Sequence, residues 1–218
     1  MKRREVLNFI EEGENLHCEF KLKFSSYEKI AKEMCAFANT KGGFIFFGVE
    51  DDKTIVGVES EKAEAELINE AAEKYCEPPI PLSIQYMEFN GKEVLIVEIR
   101  ESENKPHRLQ DYENEFDINK AVVCVRVNDK SVHASKEMIR VLKAQTDKSK
   151  LVKYVIGQNE KIVFNYLSEN ESITVKELSG LANISERRAS RTLVKMVRAN
   201  LLFIHTKDNG EDYFTSAG

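Results

Sequence analysis

The sequence predicts an α+β protein: a mixed-sheet domain over residues 1–146, a linker over 147–158 and a winged helix-turn-helix over 159–218. Three observations predict it. Between Tyr27 and Gly57 the apolar spacing changes from helical (Ile30, Met34, Phe37, Ala38) to the unbroken run Phe44-Ile45-Phe46-Phe47-Gly48-Val49. Such a run suits a central strand covered on both faces. Further on, Asn90-Gly91 sits between two strand-like runs, a strong short-range hairpin signal. From Glu160, three helical runs precede two short apolar runs around a polar tip, the element order of a winged helix.

Each element follows from its residues. Positions 2–12 make a short helix with Val6, Leu7, Phe9 and Ile10 inside, broken by Gly13-Glu14-Asn15. His17 to Lys23 alternates, setting Cys18, Phe20 and Leu22 on one face and His17, Glu19, Lys21 and Lys23 on the other. Asn39-Thr40-Lys41-Gly42-Gly43 ends the next helix, because glycine takes a left-handed conformation cheaply. After the central strand, Glu50-Asp51-Asp52-Lys53 turns the chain and Thr54–Gly57 is expected to return as a strand. Ser60–Tyr75 is a charged helix with Ala63, Leu67, Ile68 and Ala71 inside, stopped by Glu77-Pro78-Pro79-Ile80-Pro81. The hairpin Leu82–Phe89 and Val94–Ile99 follows. Ser102–Asn119 is a polar loop, Val122–Val127 a strand, and Ser135 caps a helix to about Ala144. In the tail, Thr174-Val175-Lys176-Glu177 is a capping box. The helix after Ser185 turns Ala189, Leu193, Met196 and Val197 inward.

Composition bounds the function. A chain of 218 residues with 42% hydrophobic residues buries one sizeable core and a small second one. The net charge of −5 excludes a general basic coat for nucleic acid. Residues 151–218, however, hold nine Lys/Arg against eight Asp/Glu, a net of +1, which leaves −6 for the rest. Cys18, Cys35, Cys76 and Cys124 form no metal-ligand spacing and are expected as reduced core thiols of a cytoplasmic protein. No apolar run is long enough to span a membrane.

The clearest chemical signal is the basic face of the third tail helix. Arg187, Arg188, Arg191, Lys195 and Arg198 face Glu186 alone, on the helix that this topology aims at a major groove. A solvated helix face is the bland alternative; the single sign of the charges favours nucleic-acid contact. Ser185 at the helix start and Lys207 at the hairpin tip join the candidate contacts, as do Lys21 and Lys23 in the first domain. Glu14, Glu19 and Asp51 share no helix or strand face, so spacing alone makes no site. Converging from a loop, a strand and a strand end, they would offer oxygen ligands to Mg²⁺ or Mn²⁺. Gly42-Gly43 is a helix stop and not a nucleotide loop, since helix C-terminal carbonyls repel phosphate. His107 is expected as an exposed loop histidine, and Arg126, alone among apolar strand residues, as an internal ion-pair partner.

Glu14…Glu19-Phe20-Lys21, Ala36-Phe37-Ala38-Asn39-Thr40-Lys41-Gly42-Gly43, Gly48-Val49-Glu50-Asp51 and Gly57 resemble the Schlafen-type Alba-like domain, also labelled divergent AAA. Lys105-Pro106-His107 and Val125-Arg126-Val127 are similar to its second half, so the resemblance covers roughly residues 10–140. It implies a DNA-binding transcriptional regulator when a winged helix follows. In animal Schlafen proteins the domain is an RNA-cleaving nuclease with three metal-site acids, which by resemblance fall on Glu14, Glu19 and Asp51. The ATP-binding label finds no support in these residues. The expectation is therefore a DNA-binding regulator, probed against a metal-dependent endoribonuclease and a protein-interaction module. DNA is the expected partner ahead of RNA, and a homodimer the expected assembly, because one small reader buries little surface.

Overall fold

The computed structural model describes residues 1–110, 117–118, 120–146 and 154–217. Its chain divides into two compact units, Met1–His133 and Ala134–Gly218. In the first unit the elements are α1 (Arg3–Glu12), β1 (Cys18–Lys21), α2 (Tyr27–Asn39), β2 (Gly43–Phe47), α3 (Glu61–Lys74) and β3 (Cys76–Glu77). These are followed by β4 (Leu82–Phe89), β5 (Lys92–Ile99), β6 (Arg108–Leu109), β7 (Cys124–Val127) and β8 (Lys130–His133).

A four-stranded sheet in the order β1-β2-β5-β4 is the centre of this unit. β1 runs parallel to β2, and β2–β5 and β5–β4 are antiparallel, so the sheet is mixed as expected. Its two faces explain the apolar run of β2. Ile45 and Phe47 pack with α2 and α3 residues such as Ile30, Met34, Phe37 and Ile68. Phe46 packs on the opposite face with Val6 and Ile10 of α1 and with Phe20. α2 starts where the Ser26 hydroxyl accepts from the Lys29 amide at 3.3 Å. It ends where Gly42, at φ 68°, donates its amide to the Phe37 carbonyl at 2.9 Å. Asn90 and Gly91 both have positive φ (53° and 79°), the requirement of the tight turn that joins β4 to β5.

Several local expectations are corrected. The strand read as His17–Lys23 is only β1, and one residue of its polar side, Glu19, is buried at 7% exposure, while His17 and Lys23 are exposed. Thr54–Gly57 forms no strand beyond a single bridge between Val49 and Ile55. There Gly48 and Gly57 pack backbone to backbone; a Cβ on Gly48 would lie 2.9 Å from Gly57. Both amides of Val56 and Gly57 reach the Gly48 carbonyl at 2.9 Å, which is a knot of loop bonds and not a ladder. The hairpin partner β8 and the short pair β3–β6 are further strands, in segments whose residues carry no strong alternation.

His107 is the plainest correction. It is 1% exposed, not an open loop residue. Its Nδ1 lies 2.7 Å from the Pro78 carbonyl, so Nδ1 carries the proton, and Nε2 accepts from the Ser102 hydroxyl at 2.7 Å. Asn39 clamps the same segment, donating to the His107 and Cys124 carbonyls at 2.9 Å and accepting from the His107 amide at 2.7 Å. Burial, ahead of the neighbouring cations, holds His107 below its ordinary value of 6.5 and outweighs the Pro78 carbonyl, which pulls the other way. The unfolded chain therefore binds this proton more readily than the folded one. The contribution of neutral His107 is complete above the ordinary value and is lost as pH falls from there through the lower folded value. Urea unfolding is expected to show stability falling between about pH 7.5 and about pH 5.5, with a smaller fall in His107→Asn. An equal pH dependence in wild type and variant would exclude this residue as its cause.

The second unit holds α4 (Lys136–Thr146), α5 (Gln158–Leu167), α6 (Val175–Leu181), α7 (Glu186–Arg198) and the antiparallel pair β9 (Leu202–Thr206) and β10 (Asp212–Ser216). Its core gathers Val163, Ile173, Leu178, Ala189, Leu193, Met196, Leu202 and Phe214. Thr174 and Glu177 close the capping box read from the sequence, and Ile173 bridges to Phe214 of β10. α4, which the sequence placed in the first domain, belongs to this unit. Of the linker read over 147–158, residues 147–153 lie outside the described residues, and α5 already begins at Gln158.

Candidate nucleic-acid interface

α7 has three faces, each with its own surroundings. Ala189, Leu193 and Met196 are fully buried in the core of the unit. Ser190 and Val194 are also buried, and Arg140 and Glu137 of α4 reach the Ser190 hydroxyl at 2.7 and 2.5 Å. The remaining face carries Arg187, Arg188, Arg191, Lys195 and Arg198, all exposed. At 100° per residue these five fall within about a 100° arc, one continuous stripe. None of them makes an ion pair with a described residue.

The stripe borders an open groove of about 620 Å³, lined by Gly157, Gln158 and Asn159 at the start of α5 and by Ser185, Arg187, Arg188, Arg191 and Lys195. Glu160 is the carboxylate of that lining. Its oxygens are already engaged, one by the Gly157 amide at 3.0 Å and one by the Tyr154 hydroxyl at 3.1 Å. The Ser185 hydroxyl accepts from the Arg188 amide at 3.3 Å and so caps the helix. Lys207, exposed in the β9–β10 turn, holds its ammonium 5.9 Å above the Tyr213 ring. A groove with cations along one wall and a helix start along another is electrostatically suited to phosphate oxygens.

The first-domain candidates stand differently. Lys21 is half-buried and bound to the Glu19 carboxylate and to the Phe20 carbonyl at 2.9 Å, so part of its charge is already used inside the protein. Lys23 is exposed, beyond the end of β1. Glu14 lies within electrostatic reach of both Glu19 and Asp51. Burial raises Glu14 above the ordinary carboxylate value; the Phe20 amide and Lys21 oppose this, and Glu19 and Asp51 add to it. Glu14 accepts from that amide at 2.9 Å, and Asp51 is exposed. Glu19 is committed elsewhere: one oxygen takes Lys21, the other takes Arg126 Nη1 at 2.8 Å. Among the described residues no three His, Cys, Asp or Glu side chains are placed to hold a metal ion. Oxygen donors of the right kind are present, but as arranged they do not form a divalent-cation cage.

Sequence reading anticipated Arg126 as an internal partner, and here the structure is emphatic. Its side chain is fully buried. Nη1 meets Glu19, Glu33 at 3.1 Å and Ser131 at 3.3 Å; Nη2 meets the carbonyls of Asn15 at 2.8 Å and Cys18 at 3.3 Å. The guanidinium also stacks 4.5 Å over Phe37. Glu33, the second carboxylate, is a residue that sequence reading missed: it lies on α2 among helix positions that give no sign of a partner in β7. The four cysteines are buried free thiols, as expected, and burial pushes the Cys18 thiol up to about 12.

Comparisons with known proteins bear on the first unit. No curated protein matches the chain. The crystal structure of the DIP2311 protein from Corynebacterium diphtheriae aligns with 67% of this chain at 15% identity and a TM-score of 0.45. This chain covers 31% of that protein's length. The solution structure of the N-terminal domain of a protein described as related to the ATP-dependent DNA helicase RecG, from Nitrosomonas europaea, aligns with 50% of this chain and 80% of its own. There the identity is 21% and the TM-score 0.43. Residues 14–135, more than half of the chain, match the family described as Schlafen, AlbA_2, and they include the Asn39 clamp, the glycine turn and the Arg126 network. The protein belongs to the Schlafen AlbA_2 family.

Proposed function

We propose that this protein binds nucleic acid, duplex DNA ahead of RNA, through a winged helix-turn-helix formed by α5, α6, α7 and the β9–β10 hairpin, and that it acts as a DNA-binding transcriptional regulator. The observation that carries this reading is the stripe of five cations on α7, none of them paired with a described residue, beside an open groove. Membership of the Schlafen AlbA_2 family supports a nucleic-acid role for the first unit as well. Phosphate contacts supply affinity and orientation, while side chains at the start of the inserted helix read base edges. Ser185, Arg187, Arg188 and Arg191 occupy that start. A single reader of this size buries little DNA surface, so the working form is a homodimer on two half-sites.

Fluorescence anisotropy on a labelled duplex and on single-stranded RNA of equal length tests the reading. Duplex binding is expected to be the tighter and to survive EDTA, because the proposed contacts are side-chain cations and need no bridging metal. RNA cleavage in Mn²⁺, lost in Glu14→Gln, Glu19→Gln and Asp51→Asn alike, would replace it with a nuclease reading.

A further inference from the structure

The helix that changed domains offers a second basic surface. α4 is fastened to the second unit at two places. At its start, the Ser135 hydroxyl both caps the Met138 amide at 2.9 Å and bonds the Asp212 carboxylate of β10, which also takes the Thr206 hydroxyl at 2.7 Å. One turn later Arg140 and Glu137 grip Ser190 of α7. Arg140 is exposed, but the Ser190 hydroxyl it binds is buried, and Val141 and Leu142 are 5% and 3% exposed. α4 is therefore a fixed part of the unit and not a loose connector.

With its inner side so defined, the outer side of α4 presents Lys136, Arg140 and Lys143 at i, i+4 and i+7, one stripe on a helix. All three are exposed, and Lys136 and Lys143 make no ion pair with a described residue. Glu137, the acid of this helix, is turned to Ser190 and pairs with Arg140 at 3.4 Å. Arg140 joins the two helices. Its guanidinium is 2.7 Å from a hydroxyl that lies one residue from Arg191 and one turn from Arg187. The charges of α4 thus continue from those of α7 through a residue that both helices share. A lone charged helix would be read as a solvated face; here the cations are held at a fixed offset from a second cationic stripe, as a polyanion with regularly spaced charges requires.

We propose that α4 is a second arm of the nucleic-acid surface, with Lys136 and Lys143 contacting backbone phosphates flanking the stretch read by α7. This rests on the α7 reading given above. The contacts carry charge and no sequence information, so they add affinity equally on all sequences. Arg140 has a structural bond and is left intact in the test.

The experiment is a salt series of duplex-DNA titrations by anisotropy with the full chain. Lys136→Ala/Lys143→Ala is compared with wild type and with a control of the same charge change, Lys29→Ala/Lys62→Ala, two exposed first-unit lysines. The α4 pair is expected to weaken binding roughly 5- to 30-fold near 0.1 M salt and to flatten the slope of log K against log salt by up to about 1.8, two phosphates at ~0.9 each. The control pair is expected to match wild type. If the α4 pair binds like wild type while Arg187→Ala/Arg188→Ala/Arg191→Ala loses binding, the α4 arm is overturned and the α7 reading stands. If both lysine pairs weaken binding alike, the effect is net charge and the arm is again overturned. If the α7 triple variant binds as wild type does, the α7 reading itself falls, and the arm with it.

Discussion

Replacing Arg187, Arg188 and Arg191 together by alanine is expected to weaken duplex-DNA binding by about 10²- to 10³-fold at ~0.1 M salt, several kcal/mol at ~1.4 kcal/mol per tenfold. The size follows from the geometry of α7. These arginines are exposed and have no ion pair with any described residue, so replacing them breaks no ion pair among the described residues. They lie at the first turns of the helix, exposed, where alanine is at least as good a helix former as arginine. Circular dichroism and the melting temperature of the second unit should therefore be unchanged. Each lost phosphate contact should flatten the slope of log K against log salt by about 0.9. A variant that loses affinity with an unchanged slope would point to base-edge contacts alone. A folded variant with wild-type affinity and slope would remove α7 from the DNA-binding role.

What could be read from the chain and what could not divides along sequence distance. α2 and β2 were legible because their signals are local: a helical period, two glycines, then an apolar run. The hairpin at Asn90-Gly91 and the Thr174–Glu177 capping box are local in the same way, and each has the geometry its residues demand. Arg126 could be read as an internal partner because a charge alone among valines must find a counter-charge once buried. Its partners could not be named. Glu19 is 107 residues earlier and Glu33 is 93. Without them Glu19 passes for a polar-face residue, and His107, held by Pro78 and Asn39, for an open loop. The helix Lys136–Thr146 was given to the wrong neighbour for the same reason. Ser190, which fixes it, lies 50 residues on from Arg140. The basic stripe of α7 was legible because it lies on one helix; that α4 packs beside it was not, because the contact joins residues far apart in the chain.

The largest stability effect is expected at the Arg126 cluster. Arg126→Met keeps much of the volume but leaves Glu19 and Glu33, with side chains 9% and 14% exposed, facing each other's surroundings without their shared cation. Breaking a buried pair from one side costs about 3–5 kcal/mol, since the remaining charge stays desolvated. At ~2–4 °C per kcal/mol for a chain of this size, the transition of the first unit should drop by roughly 10 °C. Arg126→Lys should recover only part of this, because one ammonium cannot span two carboxylates and two carbonyls as the planar guanidinium does. Calorimetry with denaturant titration measures the loss, and the second unit supplies an internal reference whose transition should not move. The penalty should also shrink at lower pH, where a proton can neutralise a carboxylate that has lost its partner. Adding Glu19→Gln to Arg126→Met tests the pairing: if the two residues are counter-ions, the double variant is more stable than Arg126→Met alone, because the stranded charge is gone. If instead Glu19 were held for a cation from solution, Glu19→Gln would raise the stability of the metal-free wild type by relieving its repulsion with Glu14. The two carbonyl bonds, the two carboxylates and the Phe37 stack around one guanidinium favour the first outcome, with Glu19 the internal counter-ion that ties β1 to the β7–β8 hairpin.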